Sequence, residues 1–164
     1  MPIYLKYDGI DGDATEESHK DWIPLDSAHY STSRNIATPT GQAARRESGA
    51  PTLSEVVITK PSDKASQKLF AASLSGESKQ VKIDFVRTGD PGEIYMTLTL
   101  SNVLISSYSF AAHSGGMGGT ETFPVESLSL NFTKIEESYT PYSADHKPGT
   151  PQRYTYDVAT AKKS

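Results

Sequence analysis

The stretch Val81-Lys82-Ile83-Asp84-Phe85, followed by Gly89-Asp90-Pro91-Gly92 and then Ile94-Tyr95-Met96-Thr97-Leu98-Thr99-Leu100-Ser101, decides the fold class. In both flanking segments apolar and polar residues alternate with period two. That pattern gives a pleated strand one core face and one wet face, and no helix can gather it into a single apolar stripe. The proline and glycines between the segments supply the fixed and positive φ angles of a tight turn. The two segments are expected to pair as a hairpin.

Outward from this hairpin, Ile3, Leu5 and Tyr7 alternate with Tyr4 and Lys6 up to Asp8-Gly9, a further strand. Strands are also expected at Leu53–Lys60, Glu126–Ile135 and Tyr154–Val158. In the second of these Leu128, Leu130 and Phe132 share a face, while Val125 and Ile135 fall out of phase, as a bulge or twist would require. Ile23 and Leu25 are in phase around Pro24, which lacks an N–H and belongs at a strand start or on an edge. One helix is expected over Lys64–Ser75, with Asp63 placed to cap it and Gly76 to close it in a left-handed conformation. Ala65, Leu69 and Ala72 form its apolar stripe, widened by Phe70 and Leu74, and the stripe is expected to seal against the sheet. Ser31–Pro51, His113–Thr120 and Tyr139–Gln152 are polar and read as long loops, which in a compact domain usually bind something. About seven strands with one short helix imply a mainly β barrel or sandwich of antiparallel strands.

The 164 residues suit one domain spanning 1–164, including an extended loop at 31–51 and a tail at 139–164 with a short final strand. There are no cysteines, which excludes disulfides, thiolate nucleophiles and cysteine-held metals, so the core alone must hold the fold. The net charge of −4 and pI near 5.5 argue against a general nucleic-acid partner. Met-Pro-Ile-Tyr-Leu-Lys-Tyr-Asp carries no apolar region of a signal peptide, and the longest apolar run, Leu69 to Ala72, is far below the ~20 residues that span a bilayer. No membrane insertion is expected.

The residues that could carry chemistry favour plain readings. Asp8, Asp11, Asp13, Glu16 and Glu17 offer carboxylates, but a calcium loop begun at Asp11 needs glycine at Glu16 and glutamate at Trp22. A solvated turn is expected, with no metal. The glycine-rich run 113–120 lacks the lysine of a phosphate loop and is flanked by strand-like residues rather than a helix, so it reads as a connection. His19, His29, His113 and His146 could serve as bases, yet no nucleophile elbow and no metal-ligand spacing accompany them. No catalytic residue and no cofactor is expected. Arg45 and Arg46, followed by Glu47, make a small charged spot in the longest loop, which reads either as a solvated tip or as a contact built to pair with carboxylates of a neighbour.

Four segments carry a resemblance: His19–Ile23, Thr59–Phe70, Leu98–Ser107 and Glu126–Ile135. Their order and spacing resemble the hemolysin-coregulated protein (Hcp) family of type VI secretion systems, from about Ile3 to Pro141, and Tyr156-Asp157-Val158 fits the family's final short strand. The resemblance implies a tight β-barrel with one flanking helix, like phage tail-tube proteins, assembled as homo-hexamers that stack into tubes. It implies sheath, spike and baseplate proteins as partners and effectors as cargo in the channel. It also implies a protein made in the bacterial cytoplasm and then ejected into the medium or a target cell. The stretch Ser31–Pro51 is the least family-like. It is expected to be the loop that stacks rings, with Arg45, Arg46 and Glu47 contributing. The tail from Tyr142 to Gln152 is expected to wrap over the barrel or a neighbour. Rival readings are a monomeric β-rich ligand-binding module or a hydrolase with a dispersed site.

Overall fold

The computed structural model describes residues 1–37, 40, 47–89, 92–113, 123–143, 145 and 147–163. Antiparallel strands dominate it, in chain order β1 (Ile3–Tyr7), β2 (Ile23–Leu25), β3 (Ser27–His29), β4 (Thr32–Ala37), β5 (Glu47–Leu53), β6 (Val56–Pro61), β7 (Lys79–Arg87), β8 (Glu93–Ala111), β9 (Val125–Asn131), β10 (Lys134–Tyr139), β11 (Gln152–Asp157) and β12 (Lys162–Lys163). The α-helix α1 covers Ser66–Leu74, and a 3-10 turn covers Glu17–His19. Among the described residues no helix is long and apolar enough to cross a membrane.

One strand, β8, serves both sheets of the barrel. β2, β1, β7 and the first half of β8 pair in sequence, and β3, β6, β9 and the second half of β8 pair in turn. β8 changes sheets at Asn102, whose φ of +53 bends the chain; asparagine tolerates this left-handed conformation better than most residues. Across from the bend, the Thr133 N–H donates to the Ser101 carbonyl at 3.1 Å. There the continuous segment expected at 126–135 divides into β9 and β10, with Phe132 and Thr133 between. That break is the physical reason Ile135 falls out of phase. At the other seam β2 and β3 are separated only by Asp26, whose N–H donates to the Thr59 carbonyl at 2.8 Å. β10, β11 and β12 extend the first sheet beyond β8 as a wing.

The inward faces carry the alternating residues. Leu5, Ile23, Val56, Ile58, Val81, Ile83, Leu98, Leu100, Leu128 and Leu130 are all buried in one cluster, and Leu69 of α1 closes it from the side. Pro24 lies in β2, the terminal strand of the first sheet's order, as its missing N–H demands.

Several expectations need correction. The strand expected over Leu53–Lys60 is interrupted at Ser54 and Glu55. Ser31–Pro51 is not an irregular loop, because β4 and β5 pair within it as a two-stranded sheet. The helix is shorter than Lys64–Ser75. Its side-chain N-cap is missing at Ala65, while the Asp63 carboxylate accepts the Ala65 N–H at 3.0 Å. Gly76 does not close it in the left-handed region. Gly9, with φ +81 in the turn after β1, is the one glycine there among the described residues. Phe70 and Leu74 are 51% and 75% exposed, so they stay outside the core, although Phe70 meets Tyr108 of β8. Asp90 and Pro91, in the turn between β7 and β8, lie outside the described residues.

Candidate functional site

The β4–β5 hairpin stands off the barrel. Every residue of β4 is exposed, and most of β5 is too. Its root is tied at several points. The Ser54 N–H donates to the Ser31 carbonyl and the Ser31 N–H to Ser54 Oγ, both at 2.8 Å. Glu55 accepts from Ser106 Oγ at 2.6 Å and from Asn131 Nδ2 at 3.0 Å. Tyr30 donates to Glu137 at 2.5 Å, and burial, with that carboxylate beside it, pushes the phenol well up, so it stays a donor. Between hairpin and wing lies a cleft of about 510 Å³ walled by Tyr30, Leu53, Ile135, Tyr154 and Tyr156. Of the three residues expected to stack rings, Glu47 is the exposed first residue of β5, opposite Ala37. Arg45 and Arg46 lie outside the described residues, as do most of the run 113–120 and His146.

At the other end of β6 the barrel holds an ionic cluster that no sequence motif marks. Lys60 and Glu126 are direct cross-strand partners and both are fully buried. Lys60 Nζ lies 3.0 Å from Glu126 Oε2 and 2.8 Å from Asp63 Oδ1, and it donates to the Pro61 carbonyl at 2.7 Å. Ser62 Oγ donates to Glu126 Oε1 at 2.8 Å. Burial alone would push the Glu126 carboxyl up. The hydrogen bonds from Ser66, Lys60 and Ser62, with the Lys60 charge, outweigh it and hold the group below its ordinary range. The signal was in the sequence: Val56, Ile58 and Lys60 share one phase of their strand, and Glu126, Leu128 and Leu130 share one phase of theirs.

A second buried polar group fastens the long turn after β1. His19 Nδ1 lies 2.6 Å from Glu16 Oε2, and its Nε2 lies 3.1 Å from Asp84 Oδ2. The ring stacks on Tyr4 and meets Trp22 edge-on. With carboxylates on both nitrogens, His19 has no free position from which to act as a base. The bond to His19 holds the Glu16 carboxyl low, against a smaller opposing effect of burial. Three further acids of this turn pair with lysines: Asp11 with Lys6 at 3.1 Å, Asp21 with Lys64 at 3.0 Å, and Asp13 with Lys64 at 3.9 Å. His29 and His113 are exposed.

Exposed aromatic and aliphatic side chains gather on two sides. Phe70, Leu74 and Phe110 lie about α1 and the end of β8, whereas Tyr139 and Tyr154 lie on the wing. Among the described residues these side chains offer surfaces for partners.

Residues 4–139 match the protein family described as "Type VI secretion system effector, Hcp". Protein hcp1 of Pseudomonas aeruginosa is 26% identical over 161 residues, covering 96% of this chain and 95% of that one. Among solved structures, one described as a type six secretion system protein superposes with a TM-score of 0.89 at 23% identity, covering 99% of both chains. Hcp1 from Salmonella typhimurium superposes with a TM-score of 0.76 at 21% identity, covering 99% of this chain and 98% of the other.

Proposed function

Because this chain belongs to the Hcp family, the tube subunits of type VI secretion, we propose that it works by closing into six-membered rings that stack into a secreted tube. The β4–β5 hairpin carries this reading. A two-stranded hairpin exposed to water is marginal on its own and needs further strands or a packing partner. A barrel that builds one, and roots it with the Tyr30, Ser31, Ser54 and Glu55 contacts, is built to place it against another molecule.

Sideways, the wing, with Tyr139 and Tyr154 exposed, offers one face for a contact with a different part of the next copy. A head-to-tail contact between unlike faces, with a closing rotation, gives a ring. Each contact needs on the order of 1,600 Å² in total to be stable. In the wing β11 is covered by the two-residue edge strand β12 only at Tyr156 and Asp157, and its remaining edge is suited to ladder bonds with a neighbour.

The chain acts by assembly rather than by catalysis. Sheath, spike and baseplate proteins are its partners, effectors in the channel are its cargo, and the apparatus it helps to build carries it out of the cytoplasm. Arg45 and Arg46, in the segment that joins β4 to β5, and Glu47, the first residue of β5, contribute to ring stacking. Reversing both arginines to glutamate is expected to leave single rings intact and to abolish tubes in electron micrographs. Tubes of undiminished length would remove the hairpin tip from the stacking contact.

A further inference from the structure

The two ends of strand β6 carry complementary features. β6 leaves the hairpin at Val56 and ends at Pro61, beside the buried Lys60, Asp63 and Glu126. Strand β9 runs back the other way, pairing Val125 with Pro61 and Leu130 with Val56, and Asn131 reaches Glu55 at the hairpin root. Hairpin and ionic cluster therefore sit at opposite poles, separated by about six residues of strand, or ~20 Å. Over the cluster opens a cleft of about 510 Å³, lined by Asp63, Gln67, Phe70, Tyr108, Phe110 and Glu126 among others.

The chemistry of this cleft selects a cation. One lysine charge faces two carboxylates, so the buried cluster carries a net charge of about −1. Both oxygens of Glu126 and Oδ1 of Asp63 are engaged, by Ser62, Lys60 and the Ala65 N–H. Oδ2 of Asp63, on a side chain only 4% exposed, has no partner among the described residues. An unmatched buried carboxylate oxygen is costly, and a donor from outside would relieve it. Above it the walls are aromatic: Phe70 and Phe110 are 51% and 56% exposed, and Phe70 packs against Tyr108 with centroids 5.4 Å apart. Aromatic faces over buried negative charge suit a guanidinium, which is planar, weakly hydrated and stacks, better than a strongly hydrated ammonium.

We propose that this cleft is the receptor for the hairpin tip of the next ring, with Arg45 or Arg46 of a second copy as its ligand. The inference rests on the stacking role proposed above and names the surface that the tip meets. The chain's other arginines are already placed, Arg34 on Ser48, Arg87 over Tyr142 and Arg153 on Glu136, whereas the adjacent pair at 45–46 directly precedes Glu47, the first residue of β5 in the hairpin at the opposite pole from the cleft.

Gln67, exposed on the first turns of α1, tests this without disturbing the core. Gln67→Lys sets a positive charge at the cleft and is expected to leave rings intact while cutting the stacked fraction in sedimentation velocity by about tenfold, as like charges at a contact do. In the Arg45→Glu/Arg46→Glu background the same substitution is expected to raise stacking instead. A penalty of the same sign in both backgrounds, or no effect of Gln67→Lys while the arginine reversal still abolishes stacking, overturns the cleft and spares the stacking role. Unchanged stacking on arginine reversal overturns both. For stacks too short-lived to sediment, a short bis-maleimide linker on Arg46→Cys/Gln67→Cys, in a chain with no cysteine of its own, is expected to join more than six subunits. Joining confined to single rings overturns the proposal.

Discussion

Replacing Lys60 by methionine is expected to cost about 3–5 kcal/mol of stability, the usual penalty for stripping one partner from a buried ion pair. Methionine nearly fills the lysine volume, so little of this comes from packing. The loss arises because Glu126 and Asp63 keep their charges in a site that no water reaches, with the ammonium 3.0 and 2.8 Å away removed. The strand ends that frame the cleft, Pro61 and Val125, are the first places where the barrel should open. Neutralising the partners as well, in Lys60→Met/Asp63→Asn/Glu126→Gln, is expected to recover most of the loss, since replacing a whole buried ionic group is often close to neutral.

Acid separates these cases. The wild-type Glu126 carboxyl is held low, so its contribution is present above the ordinary glutamate range and is lost as pH falls through the lowered value. Lys60→Met has no such contribution to lose, and its urea midpoint should approach the wild-type value in acid. Midpoints must be compared at one protein concentration, because assembly adds to apparent stability. Curves that stay parallel down to low pH would show that the cluster's charges do not set the difference.

Gly12→Ala is the second large effect. A Cβ at Gly12 would stand 2.4 Å from Ile23 Cα, 2.5 Å from the Trp22 carbonyl oxygen and 2.7 Å from Ile23 Cγ1. Two of these three atoms are backbone, so no rotamer change makes room. The turn would have to lift from β2, breaking the Gly12–Asp21 and Ala14–Trp22 hydrogen bonds and loosening His19 from Asp84. A cost of about 3 kcal/mol, at the upper end for overpacking, is expected. Trp22 is the single tryptophan, so its emission reports this turn directly and should shift to the red before the barrel unfolds. Gly76→Ala is the control: its Cβ would meet nothing within 4 Å and its backbone is not left-handed, so it should be neutral or slightly stabilising. Equal midpoints for the two variants would refute the close approach at Gly12.

The strands and the family resemblance were legible because they rest on local signals. Period-two runs at 3–7, 81–85, 94–101 and 126–132 mark half-buried strands wherever they occur. The hairpin at 32–53 was not legible, because all of β4 faces water and an exposed strand has no alternation to read. Phe70 and Leu74 misled for the opposite reason: their i, i+4 spacing widens a core stripe on paper, and only the docked helix shows that the core side is Ala65 and Leu69, with Ala72 half-buried beside them. Closure of the barrel depends on which distant strands meet, through Asn102 and Asp26, and no local pattern states that. Lys60 and Glu126 lay between these extremes. Each is a charge at an in-phase position of an apolar strand, which calls for a partner, but their pairing appears only once β6 and β9 are side by side.

Light scattering on the purified protein across a range of concentrations tests the ring most directly. Six copies of 17.8 kDa predict about 107 kDa, with heavier species appearing as concentration rises and rings stack. A constant mass of 17.8 kDa at every concentration would contradict the ring and leave a monomeric β-barrel in its place.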